Sequence, residues 1–140
     1  MASTFEFKLV TPTGAVFEGA VQEVTAQGPR GEFGVLAEHI NLITSLVPGV
    51  LQIKRENGAV ENWVISGGLA EIKNGQMTLL ANGAETPASI DRAAVEAEER
   101  DAEDHLARMS SYDAEYALAQ EAFLLARARK QGASLPGAAR

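Results

Sequence analysis

At Glu85 the sequence changes character, and that one transition constrains the fold more than any motif does. Before it, apolar and polar residues alternate in short runs cut by turns rich in glycine and asparagine. After it, alanine, glutamate and arginine dominate as far as Met109. Period-two alternation builds half-buried strands, while alanine and glutamate build helix. With 140 residues the chain holds one domain, or one domain and an appendage. The expected class is therefore α+β with its parts segregated: an antiparallel β part over residues 1–85, an antiparallel two-helix hairpin over 89–131, and a flexible tail over 132–140.

Phe5, Phe7 and Leu9 share one face of the first strand, with Glu6 and Lys8 on the other. Val16-Phe17 and Val21 to Ala26 read as two short strands broken at Glu18-Gly19. Further strands are expected over Val50–Arg55, Asn62–Ser66, Leu69–Lys73 and Gln76–Ala81. Asn74-Gly75 between the last two is the strongest short hairpin signal, because both residues tolerate the positive φ of a type I′ turn. Many short strands with frequent turns indicate a sandwich or barrel.

Gly28 to Leu51 is the least ordinary stretch. Gly28, Gly31 and Gly34 punctuate its start, His39 sits in its middle, and Pro48-Gly49 closes it. A long loop is the simplest reading, yet Phe33, Val35, Leu36, Ile40, Leu42, Ile43 and Leu46 are too many apolar groups for a solvated one.

Beyond the Pro87-containing connector, Ser89 is a suitable N-cap for a helix starting at Ile90, with Asp91 in its first turn. Ser110 and Asp113 resemble a capping box that restarts the chain as a second helix, and Gly132 suits the position after its end. Its expected apolar stripe is Tyr112, Tyr116, Ala119, Phe123 and Ala126. Large core side chains are scarce here, so the hairpin buries little apolar area, which suits a weakly docked, detachable element and equally an ordinary minor subdomain packed on the sheet.

Chemistry is hard to find. Cysteine is absent, and the two histidines, His39 and His105, have no metal-ligand partner at useful spacing, so no metal site, cofactor or catalytic residue is expected. Ser66-Gly67-Gly68 lacks the flanks of a nucleophile elbow. Glu96 with Arg100 and Asp104 with Arg108 are expected to pair along a solvated helix face. A net charge of −7 disfavours non-specific nucleic-acid binding. No run of about 18 apolar residues predicts a membrane span, and no leader precedes Phe5. A binding or regulatory subunit is the profile that remains, with a stand-alone β-sandwich adaptor carrying a helical arm as the alternative.

The motifs Gly-Glu-Phe-Gly-Val-Leu-x-x-His at Gly31–His39, Leu46-x-Pro-Gly-Val-Leu, Ile65-Ser-Gly-Gly-Leu-x-Glu-Ile and Met77-Thr-Leu-Leu-Ala resemble the epsilon subunit of bacterial and chloroplast F-type ATP synthases. The resemblance implies a β-sandwich of about ten strands at the foot of the central stalk, bound to the gamma subunit and the c-subunit ring. It also implies a hairpin that folds down on the sandwich or extends along gamma into the catalytic alpha/beta hexamer, where it blocks ATP hydrolysis. By position, Arg30, Gly31 and Glu32 would face the c ring. Val10, His39 and the segment to Thr44 would meet gamma. Arg127, Arg129 and Lys130 close the second helix, where cations suit its dipole as well as they suit an acidic partner, which under the resemblance would be the hexamer. The implied location is peripheral, on the cytoplasmic face of the bacterial inner membrane. Some members bind ATP through Ile/Leu-Asp-x-x-Arg-Ala at the first helix. Ile90-Asp91 is present here, but Ala94 and Val95 stand at the arginine and alanine positions.

Overall fold

The computed structural model describes residues 3–136. Its strands are β1 (Phe5–Thr11), β2 (Gly14–Gly28), β3 (Gly31–Leu36), β4 (Leu42–Leu46), β5 (Gly49–Arg55), β6 (Val60–Ile65), β7 (Gly68–Lys73), β8 (Gln76–Ala81) and β9 (Ala84–Glu85). A 3-10 turn, Pro87–Ser89, leads to α1 (Arg92–Ala107) and α2 (Tyr116–Ala133).

Among the described residues the nine strands form one folded sheet in the order β4-β7-β8-β1-β2-β5-β6-β9, with β3 paired to β2 off that path. All pairs are antiparallel except β1 with β8, which run parallel. Strand β2 joins the two layers of the sandwich. Its first half pairs with β1, and its second half pairs with β3 and β5. The expected break at Glu18-Gly19 does not occur, because Glu18 and Gly19 stay in register with Lys8 and Phe7. Gly19 lies at φ +158°, which is extended backbone.

Between the layers lie Phe7, Leu9, Val21, Val24, Val35, Leu51, Ile53, Met77 and Leu79, each nearly or wholly buried. Phe7 and Leu9 are alternating positions of the first strand's pattern, while a register shift between Val21 and Glu23 brings both Val21 and Val24 inward. At one rim the buried Glu61 carboxylate accepts from Arg55 Nε at 2.9 Å and from Trp63 Nε1 at 2.7 Å. Arg55 also lies over the Phe17 ring, 5.2 Å from its centroid. A buried carboxylate is tolerated when each oxygen has a partner, as here. Asn74 and Gly75 take φ of 53° and 75°, as a type I′ hairpin turn requires.

Strand β6 is covered on both sides. Ile65 points into the sandwich core, while the preceding Val64 packs outward against Ile90, Val95 and Ala128, with Leu125 and Ala133 at the edge. It is α2 that touches the sheet, against β5 and β6, and α1 packs on α2. Gly132 makes this approach possible, since a Cβ there would collide with Val64 Cγ2. Gly132 is thus a buried residue inside α2 and does not follow its end; Ser134 is the C-cap. Helix α2 therefore runs into the stretch expected as tail, and residues 137–140 of that stretch lie outside the described residues.

The helix starts also differ from expectation. Ser89 closes the 3-10 turn, its hydroxyl donating to the Thr86 carbonyl at 2.7 Å. Asp91 is the N-cap of α1, accepting from the amides of Ala93 and Ala94 at 3.0 and 3.2 Å. The Ser110–Asp113 pair closes a turn instead of a helix. The Ser110 amide donates to Asp113 Oδ2 at 2.9 Å, and the Tyr112 amide donates to Ser110 Oγ at 3.2 Å. Tyr112 stays 96% exposed, so it leaves the expected stripe; Ala119 and Ala126 are buried, and Ala128 joins them.

The glycines supply a test of the sandwich. Gly68 has φ +149°, and a Cβ there would collide with the Leu80 carbonyl oxygen, whereas Gly75 faces open space. Gly68→Ala should cost about 3 kcal/mol or more through that backbone clash, and Gly75→Ala only about 1–2 kcal/mol through its left-handed conformation. Urea unfolding of the two variants beside the parent chain checks the order.

Candidate functional site

The residues singled out in sequence fall on three surfaces. Arg30, Gly31 and Glu32 form the tip of the β2–β3 hairpin, where Gly28 pairs with Gly31 across Pro29-Arg30. All three are exposed. Gly31 has φ +119° with open space around it, so the turn demands glycine for its backbone and leaves room for a close approach. Gln27 Nε2 donates to Glu32 Oε2 at 3.2 Å, which steadies the acid at the tip.

The segment after it is not a loop throughout, since β3 and β4 occupy most of it and residues 37–41 turn between them. The His39 amide donates to the Leu36 carbonyl at 3.3 Å. The imidazole is half-buried, and Nδ1 lies 2.7 Å from the Ile40 carbonyl, which fixes Nδ1 as the protonated nitrogen. Glu38 has φ 66°, a left-handed conformation uncommon for a residue with a side chain. Leu36, Ile40 and Ile43 around it are 58%, 77% and 64% exposed, an apolar group that water alone does not favour.

Val10 and Thr44 do not share a face. Thr44 pairs with the buried Ala70, so it belongs to the inward row at the edge of the sheet. Val10 pairs with Leu80, which pairs with Leu69, which pairs with Ser45. That outward row joins half-exposed Leu69 and Leu80 to Val10, and alternation alone did not find it. The signal was available in Leu79-Leu80 and in Leu69-Ala70, apolar at consecutive positions and therefore apolar on both faces. The row continues into an open cleft of about 500 Å³ between the sandwich and the first half of α2, lined by Leu69, Leu80, Asn82, Gln120 and Leu124.

The third surface is the end of the hairpin. Arg127 is exposed and makes no ion pair among the described residues. Arg129 and Lys130 are already engaged. Arg129 donates through Nε to Glu85 Oε2 at 3.0 Å, through Nη2 to Glu85 Oε1 at 3.2 Å, and through Nη1 to Glu98 Oε2. Lys130 Nζ reaches Glu99 Oε1 at 3.0 Å. For the Arg129 guanidinium, burial alone would lower the pKa; hydrogen bonds and charge from Glu85 and Glu98 outweigh it and raise the pKa above its ordinary value. The pairs expected along α1, Glu96 with Arg100 and Asp104 with Arg108, do not close; the acids of α1 that form ion pairs reach across to α2. Among the described residues no group of acids and histidines could hold a metal ion, and no helix is long and apolar enough to cross a membrane.

Residues 4–87 match the family model described as ATP synthase, Delta/Epsilon chain, beta-sandwich domain. The chain belongs to the ATP synthase epsilon-chain family. It is 37% identical over 126 residues to the ATP synthase epsilon chain of Prochlorococcus marinus strain MIT 9303, covering 89% of this chain and 94% of that one. It is 42% identical over 105 residues to the epsilon chain of Pelotomaculum thermopropionicum, covering 75% and 78%. The helices therefore fall within the similarity as well as the sandwich. The same fold occurs in a chain of the Euglena gracilis mitochondrial ATP synthase, in a structure containing OSCP, F1 and the c-ring, with TM-score 0.79 at 22% identity over 94% of this chain and 82% of that one. A chain of the Tetrahymena thermophila mitochondrial ATP synthase central stalk and c-ring aligns with TM-score 0.63 at 15% identity, covering 95% and 98%.

Ile90 and Asp91, where the resemblance raised a nucleotide site, have structural roles in this chain. Ile90 is buried against Val64 and Val95, and the Asp91 carboxylate caps α1. A groove of about 420 Å³ beside them carries Arg92, Arg127 and Lys130, but Glu96 and Glu99 line it too and repel phosphate. The isolated chain should bind ATP no tighter than about 1 mM, equivalent to about −4 kcal/mol. Titration calorimetry checks this, and micromolar affinity would contradict it.

Proposed function

We propose that this chain is a non-catalytic rotor subunit of an F-type ATP synthase. It links the gamma subunit to the c ring through its sandwich and restrains ATP hydrolysis through its helical hairpin. The observation that carries the reading is the similarity to epsilon chains over nearly the whole length, helices included.

In this reading the tip Arg30-Gly31-Glu32 meets the polar loops of the c ring. His39, the apolar residues Leu36, Ile40 and Ile43, and the outward row from Val10 through Leu80 and Leu69 meet gamma. Thr44 would then act from the edge of the sheet. The hairpin over 89–131 moves about the connector that follows Glu85, and the sandwich over 1–85 holds its place without it. When the hairpin extends, Arg127, Arg129 and Lys130 reach acidic surfaces of the alpha/beta hexamer. The subunit then sits at the cytoplasmic face of the bacterial inner membrane, held there through the complex.

The test is a truncation after Pro87, reconstituted with its own complex beside the full-length chain. The truncated chain should fold, copurify with gamma and the c ring, support synthesis, and raise ATP hydrolysis. Unchanged hydrolysis would remove the inhibitory role, and failure to copurify would remove the rotor role of the sandwich.

A further inference from the structure

Arg129 stands where the two sides of the connector meet. Glu85 ends β9, before the connector, and Glu98 lies on α1, after it. One guanidinium from α2 bonds both acids, in a two-pronged contact with Glu85 and a single contact with Glu98. The side chain of Arg129 is 24% exposed and those of Glu85 and Glu98 are 37% and 45% exposed, so the contact is partly shielded and still open to salt. A planar fork with several donors can span two carboxylates in fixed geometry, which a lysine cannot. Lys130 with Glu99 adds a second tie between the helices.

Resting on the function proposed above, we infer that Arg129 is the latch of the hairpin: the guanidinium that closes the connector is the same one that an acidic partner surface would need. Docking and engagement by Arg129 then exclude each other, because one group cannot serve both sets of acids. An approaching acidic surface competes with Glu85, the one acid of the latch that belongs to the sandwich, and draws the hairpin off without any separate trigger, while Glu98 travels with Arg129 inside the hairpin. The apolar seat of Gly132 on Val64 sets how well the hairpin docks, and the ionic latch sets how that docking responds to charge. A partner can move such an equilibrium only by its differential affinity for the two states.

The absence of cysteine allows clean labelling of the full chain. Asn82→Cys and Gln120→Cys place spin labels on opposite sides of the cleft between sandwich and α2. The parent chain should give mainly short distances, with the long-distance fraction growing as salt is added. Glu85→Gln with Glu98→Gln breaks the latch but leaves Arg129 free. It should raise the long-to-short ratio about fivefold and remove most of the salt response. Arg129→Ala should match it in distance. The two should part in the reconstituted complex, where the glutamine pair deepens inhibition of hydrolysis and Arg129→Ala does not. Unchanged distances in the glutamine pair would overturn the latch, as would equal inhibition by both variants. Lengthened distances with hydrolysis unaffected even by truncation after Pro87 would support the latch and overturn the inhibitory reading instead.

Discussion

The seat of α2 on the outer face of β6 is the contact on which this molecule's behaviour depends. It is small. Val64, Ile90, Val95 and Ala128 make its buried centre, and Gly132 permits the approach. The sandwich core, by contrast, draws large side chains from seven strands, β1 to β8 apart from the edge strand β4, whose Leu46 contributes at the margin. Burial stabilises roughly in proportion to apolar area, so the two parts differ greatly in how firmly they are held. The fold is a large sandwich carrying a helical attachment with a much smaller apolar seat.

Under the proposed function the subunit would be both a fixed link and a regulator, and this division suits both roles. A link has to transmit force through surfaces that do not yield, and the β2–β3 tip and the Val10–Leu80–Leu69 row both project from the sandwich. A regulator has to change state for a modest free energy. Alanine-rich helices have high helix propensity, and the two helices also pack on each other, which under the proposed function would help the hairpin keep its shape off its seat. Its exposed acids and bases then decide which surface it prefers.

Much of this was legible in the sequence, for physical reasons. Alternation placed Phe5, Phe7 and Leu9 on one face, the buried one, and Asn74-Gly75 fixed a hairpin, because these signals act locally. What escaped was set by tertiary contact. Gly132 looked like a helix end but is a helix interior residue made necessary by Val64. Ser89 looked like a cap, but the proline-led turn took its hydroxyl and left Asp91 to cap α1. The ion pairs of Arg129 and Lys130 were not legible in the sequence, because their partners lie 44, 31 and 31 residues away. Thr44 and Val10 looked like neighbours in function, yet the register of β4 on β7 turns Thr44 inward.

The central claim is that the hairpin opens as a unit far more easily than the sandwich unfolds. Native-state hydrogen exchange on the full-length chain tests it most directly. The account predicts that the buried amides of β1, β5 and β8 exchange only through global unfolding. Amides of α1 and of α2 that face the sheet should exchange through an opening at least about 2 kcal/mol less costly. Equal protection of helices and sandwich, lost together in one step, would contradict it.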